Sequence, residues 1–328
     1  WVTGRLQLHQ SFREWFMSGS SKKVIYAALI GNTFVAITKF IAASITGSSA
    51  MLSEGIHSVV DTGNQLLLLL GLHKAKKPAD ERFPFGHGKE VYFWSFVVAI
   101  LIFAVGAGVS VYEGIIHLMH PEPIKSPYVN YIVLVLAMFF EGAALHFAMT
   151  EFSKTKGKWG YLEAVRKGKD PTGFVVLFED SAAMLGLFAA FLGVFLTQVT
   201  GNLVYDGLAS IVIGLILGGT AIWLAYETKG LLIGESANLQ VVKEIRDIVG
   251  SFSQVEHVNE VLTMHMGPNF ILANLSIDFK DVLTATELEA AISRIDAQIK
   301  KACPDVQRVF VEAEARKIFQ GEGVRGEG

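Results

Sequence analysis

Cysteine is almost absent. Cys303 is the single one in 328 residues, which excludes an intrachain disulfide framework and any cysteine-rich metal cluster. It fits a buried or free thiol in a reducing compartment. Charge is scarce as well, at 18% of residues against about 25% in an average soluble domain. What fills the chain instead is apolar: 51% of residues are hydrophobic and the mean hydropathy is +0.42, which excludes an ordinary soluble protein. The net charge of −3 says little about partners, and nucleic acid is not expected among them. The opening residues, from Trp1, carry no cleavable signal-peptide pattern.

The apolar residues are unevenly distributed. Long runs continue to about Leu232, and the remainder has the composition of a small soluble domain. Runs of about 20 apolar residues are long enough to cross a bilayer as helices. Six are expected, at roughly Val24–Ile45, Ser49–Leu72, Val91–Leu118, Tyr128–Phe152, Pro171–Val199 and Leu203–Tyr226. Lysine and arginine collect in the arm 1–23, after the second run (Lys74 to Lys89) and after the fourth (Lys154 to Lys169). The opposite side has only Lys125. By the positive-inside rule both termini face the cytoplasm or its organellar equivalent. A bacterial inner membrane is the expected location, an organelle membrane the alternative. The arm, with Leu6, Leu8, Phe12, Trp15 and Phe16 among polar residues, fits an interfacial helix or a disordered segment.

The second run holds the chemistry. Glu54, His57 and Asp61 are spaced i, i+3, i+7, so a helix carries them on one stripe, which Asn64 and Gln65 extend. An ionisable group at that depth costs at least roughly 2.5–3.5 kcal/mol and normally serves function. Two carboxylates and an imidazole form a donor set for a divalent cation. Acidic residues recur at similar depth in two other runs, as Glu141 in the fourth and Glu179 with Asp180 in the fifth. Glu141 is a candidate for ion or proton contact, or else a buried group with a polar partner. Adjacent helical positions point about 100° apart, so Glu179 and Asp180 cannot be equally well aimed. In the first run, Asn32 is a candidate cavity-lining residue, and Lys39 is expected to snorkel to the outer interface. Gly106, Gly108, Gly214, Gly218 and Gly219 read as helix-packing positions.

After the second run comes Phe83-Pro84-Phe85-Gly86-His87-Gly88-Lys89. Together with the His57…Asp61 pair, the six runs and the soluble C-terminal part, it resembles the cation diffusion facilitator family of divalent-metal/proton antiporters. The resemblance covers nearly the whole chain. It implies a metal site of His57, Asp61 and Asp180, with Val176 standing where the family usually has a further His or Asp. Glu54 and Glu179 are the implied replacements, a pattern similar to the branch that includes the animal mitochondrial zinc exporter. An accessory loop site would use Asp80 and His87, but Phe83 occupies its middle position. Lys89 matches a lysine that makes a charge contact in the family, with Glu235 as its candidate partner. In the C-terminal part Asn259 and Ala273 stand where zinc-binding His residues are common, so His257 and His265 are expected to be surface or structural and the domain to dimerise rather than sense metal.

That domain, 233–317, reads as Leu239–Val249 helix, Val258–Met266 strand, Phe270–Phe279 strand, Thr284–Lys301 helix and Val306–Ala313 strand, an α+β order that is ferredoxin-like by resemblance. Residues 318–328 are expected to be disordered. The expected protein is thus a homodimeric α-helical membrane protein, with a six-helix domain over 24–232 and a small cytoplasmic α+β domain. It is expected to export a divalent cation by antiport against protons, with zinc as first choice and Mn²⁺, Co²⁺ or Fe²⁺ as alternatives, and with no prosthetic group. A non-transporting scaffold is the rival of another class. Enzymatic metal hydrolysis is not expected, since no nucleophile with a supporting motif is present.

Overall fold

A computed structural model describes residues 32–155, 160, 161, 164 and 171–316. The N-terminal arm, the start of the first apolar run, most of the basic stretch from Lys156 to Asp170 and the tail 318–328 lie outside the described residues. The chain divides into two compact units. The first takes its described residues from 32–72, 93–164 and 171–228, and the second from 73–92 and 229–316.

Six helices supply the first unit: α1 (Asn32–Thr46), α2 (Ser49–Ala75), α3 (Glu90–Met119), α4 (Pro127–Thr155), α5 (Pro171–Thr200) and α6 (Val204–Ile233). Among the described residues, four stretches are long and apolar enough to cross a membrane: Glu90–Met119, Pro127–Thr150, Gly173–Thr200 and Val204–Ile233. Helix α2, at 27 residues, is about 40 Å long and so also has the length. Its polar stripe sets it apart from those four.

Three local features hold these helices in register. Gly47, at φ 70°, makes the tight turn between α1 and α2, a conformation that favours glycine. Asp206, at the start of α6, accepts 2.6 Å hydrogen bonds from the Ser49 amide and the Ser48 hydroxyl, so it caps α2 from another helix. Helices α3 and α6 cross closely at Gly114, Gly207 and Gly214, where added methyls would meet backbone or side-chain atoms within about 3 Å. Of the glycines expected to pack, Gly214 takes part in this crossing, whereas Gly219 has nothing within 4 Å. Helix α3 is not α-helical throughout, as its sequence implies, because Ile102–Ala107 is wound as a π-helix. Such a turn re-aims the residues that follow it, and composition gives little sign of it.

The second unit contains α7 (Leu239–Gly250), β1 (Val255–Gly267), β2 (Phe270–Phe279), α8 (Ala285–Ala302) and β3 (Val306–Ala313). Its sheet has the order β1-β2-β3, with β1 and β2 antiparallel and β2 and β3 parallel through the α8 crossover. The alternation along β2 places Ile271, Ala273, Leu275 and Ile277 in the core with Ile245 and Val249 of α7 and Ile295 and Ile299 of α8. Thr284 is the N-cap of α8 and forms a capping box with Glu287. Burial and the neighbouring Glu244 and Asp305 push the Cys303 thiol up to about 11, so it is an inert core group.

Candidate metal-ion site

Helix α2 is built inside out. Glu54, His57, Asp61 and Asn64 are at most 6% exposed, whereas Val59, Leu66 and Leu70 face outward. In a lipid environment this is the stable arrangement, because apolar side chains lose nothing by meeting acyl chains and polar ones must find protein partners.

The partners come from three other helices. Lys39 of α1 is fully buried, with its ammonium 3.1 Å from Glu54 Oε2 and 2.8 Å from Ser58 Oγ. The expected snorkelling of Lys39 is therefore corrected: an inward partner holds the charge that the interface was expected to take. Lys39 and Glu54 lie at nearly equal distances on either side of the Gly47 turn, so depth along the hairpin was the signal that could have found the pair. Gly186 of α5 leaves room for Glu54, since a Cβ there would lie 2.5 Å from Oε1.

One turn further along α2, His57 Nδ1 is 3.3 Å from Asp61 Oδ1, within ion-pair distance but too poorly aligned for a hydrogen bond. Asn64 donates a 2.7 Å hydrogen bond to Glu179 Oε1 on α5, and the Asp61 and Glu179 carboxyls are within hydrogen-bonding reach of each other. Glu179 is 4% exposed and Asp180 less buried, so the two acids are aimed differently, as helical geometry requires. Asp180 is in electrostatic range of Glu179 and Glu141, and buried Glu141 on α4 is in range of Glu54, Asp61 and Lys39. Val176 is half-buried and contributes no ligand atom. Asn32 opens the described part of α1 and is half-buried.

Many of these polar atoms are buried with no hydrogen-bond partner: Glu54 Oε1, both His57 nitrogens, Asp61 Oδ1, Asn64 Oδ1 and Gln65 Oε1. Such atoms are rare in folded proteins, and a run of them along one helix face calls for a functional reason. Their N and O chemistry suits a divalent cation as cargo. Among the described residues, however, no three His, Cys, Asp or Glu side chains already converge as a finished cage. The acids and imidazole stand instead in smaller groups, His57 beside Asp61 and Asp61 beside Glu179.

The second unit holds the remaining sequence candidates. His87 Nε2 lies 3.0 Å from Asp80 Oδ2, while Asp80 Oδ1 accepts from the Arg82 and Phe83 amides. These hydrogen bonds, that from His87 first, hold the exposed Asp80 carboxyl below its usual range. The Phe83 ring packs against His87 with ring centroids 4.6 Å apart. Lys89 Nζ lies 3.7 Å from the Met264 sulfur, and Glu235 joins the sheet through its carbonyl, which accepts from the His265 amide. Asn259 donates to Ser276 and to the Glu314 and Ala315 carbonyls. Ala273 is a core residue, His265 is buried and His257 is exposed.

Known proteins match this chain in sequence. The cation efflux transmembrane domain matches residues 25–233. The proton-coupled zinc antiporter SLC30A9, mitochondrial, of Xenopus laevis is 33% identical over 336 residues, covering 90% of this chain and 60% of that protein. The human protein of the same name is 31% identical, with 90% and 59% covered. This chain thus spans about 60% of the length of these relatives. The manganese efflux system protein MneP of Bacillus subtilis is 24% identical over 89% of this chain and 95% of its own length. The family match covers the helices that carry the buried acidic stripe, and the chain belongs to the cation efflux, or cation diffusion facilitator, family of metal-ion transporters.

Proposed function

We propose that this protein is a proton-coupled divalent-metal antiporter with zinc as its cargo. The observation that carries the reading is the buried polar stripe of α2, in which Glu54 Oε1, both His57 nitrogens, Asp61 Oδ1, Asn64 Oδ1 and Gln65 Oε1 have no hydrogen-bond partner, with Glu179 of α5 beside it. Glu54, His57, Asp61 and Asp180 are the proposed principal ligands, Glu179 a further ligand, and Glu141, Asn64, Gln65 and Asn32 supports or proton relays. One imidazole with two or three carboxylates supplies the roughly four N/O donors that zinc prefers. Carboxylates and imidazole also bind protons, so metal loading releases them and one site can serve both sides of the exchange.

The proposed protein has six spans, α1 and α2 completing the four apolar ones, and both termini on the cytoplasmic side or its equivalent. Rocking of helices opens the site alternately to each side, and inward proton flow drives export. The C-terminal unit, read as ferredoxin-like, supports a homodimer. SLC30A9 is named for zinc and mitochondria, whereas MneP is named for manganese, and the oxygen-rich donor set also suits Mn²⁺. Manganese is therefore the competing cargo.

The test uses purified protein in liposomes with internal metal and pH dyes, alongside Asp61→Ala and Asp180→Ala. Zinc flux coupled to opposing proton flux, and lost in both variants, is expected. Metal flux without proton flux rejects antiport, manganese flux without zinc flux reverses the cargo, and no divalent flux at all favours a scaffold.

A further inference from the structure

The Lys39–Glu54 pair is the most costly feature of the bundle without an assigned role. Both side chains are 0% exposed, and a buried ion pair is weak evidence for stability because apolar residues of similar volume often do as well or better. Ser58 Oγ accepts a hydrogen bond from the ammonium, which is thus held at two points. Glu54 Oε2 faces Lys39, while Oε1 has no partner and points into the space that Gly186 leaves clear. Glu54 thus shows one oxygen to a resident cation and keeps the other free. The same ammonium is in electrostatic range of His57, Asp61 and Glu141, the groups proposed to handle the metal ion.

We propose that Lys39 is a built-in counter-cation that competes with the transported ion for Glu54. The inference rests on the reading that the α2 stripe carries the ion. A divalent cation on Glu54 and an ammonium on the same carboxylate repel each other strongly in a low-dielectric interior. Loading therefore drives the ammonium from Oε2, and its return helps expel the ion. Lysine suits this role, because its flexible stem and point charge can swing between acceptors, here Glu54 and Ser58. The consequence is an ion held less tightly and released faster than the acidic ligands alone would allow, which a carrier needs and a storage site does not.

Removing the competitor must then separate affinity from turnover. In the purified full chain, Lys39→Gln is expected to bind zinc about 10-fold more tightly in competition with a fluorescent chelator. In liposomes the same variant shows a lower KM and a lower maximal flux. Lys39→Arg keeps the charge and is expected to stay near wild-type affinity. A folded Lys39→Gln protein with unchanged or weaker zinc affinity overturns the proposal. If that variant does not fold, Lys39→Met decides, since it removes the charge while filling the site with a flexible apolar side chain. Zinc affinity raised about 10-fold supports the proposal, and wild-type or weaker affinity makes the pair structural only. Failure of the wild type to bind either zinc or manganese sinks the transport reading itself, and shows before any variant is made.

Discussion

Helix α2 and strand β2 each bury one face, but the buried chemistry is opposite. Strand β2 turns Ile271, Ala273, Leu275 and Ile277 inward, into a core that water drives together. Helix α2 turns Glu54, His57, Asp61 and Asn64 inward and Val59, Leu66 and Leu70 outward, as the bilayer favours. The C-terminal unit is organised for stability, with a continuous apolar core and a capped helix. The helical unit instead leaves several polar atoms of one stripe without a protein partner, at a cost to stability. Buried atoms in the first are apolar packing, and in the second many are polar.

That contrast is sharpest at Asp61. Asp61→Ala is expected to lower zinc flux by about 100-fold or more while leaving the thermal midpoint unchanged or raised, since it removes a buried acid with an unmet oxygen. Flux assays beside thermal unfolding of the same preparation check this, and an Asp61→Ala protein that unfolds early yet still transports would reverse the distinction. Leu275→Ala should do the opposite, costing about 2–5 kcal/mol in the C-terminal unit and leaving zinc affinity at the helical site as it was. Denaturant unfolding with a parallel zinc titration measures both.

Gly186→Leu probes the border between packing and chemistry, because its side chain would occupy the space beside Glu54 Oε1. About 10-fold weaker zinc binding is expected, and full affinity would place Glu54 outside the coordination sphere. Smaller again, Thr284→Ala removes the α8 cap and should cost about 1 kcal/mol, read as a small drop in the unfolding midpoint of the C-terminal unit. The smallest effect concerns the Asp80–His87 loop. Because hydrogen bonding depresses the Asp80 carboxyl, its ordering contribution is present above the ordinary carboxylate range and fades as pH falls through the lowered value. The protection of the Phe83 amide against hydrogen exchange, relative to its intrinsic rate at each pH, should therefore fall in acid, and Asp80→Asn should remove that pH dependence.

Much of this was legible in the residues. The i, i+3, i+7 spacing of Glu54, His57 and Asp61 put them on one face, and the α2 stripe is buried as that pattern requires. Alternation in β2 fell on the observed core face, and β2 and β3 have the bounds expected of them. The π turn at Ile102–Ala107 left no sign in composition, and the inward course of Lys39 left only its matching depth with Glu54 across the Gly47 turn.

Local periodicity by itself determined which residues share a face and which runs are long enough to cross lipid, since both follow from fixed rise and turn per residue. Only the tertiary structure decided that Lys39 serves Glu54, that Asn64 reaches Glu179 and that Asp206 caps α2. A buried charge takes the partner that packing brings near, and that choice is made between helices rather than along one.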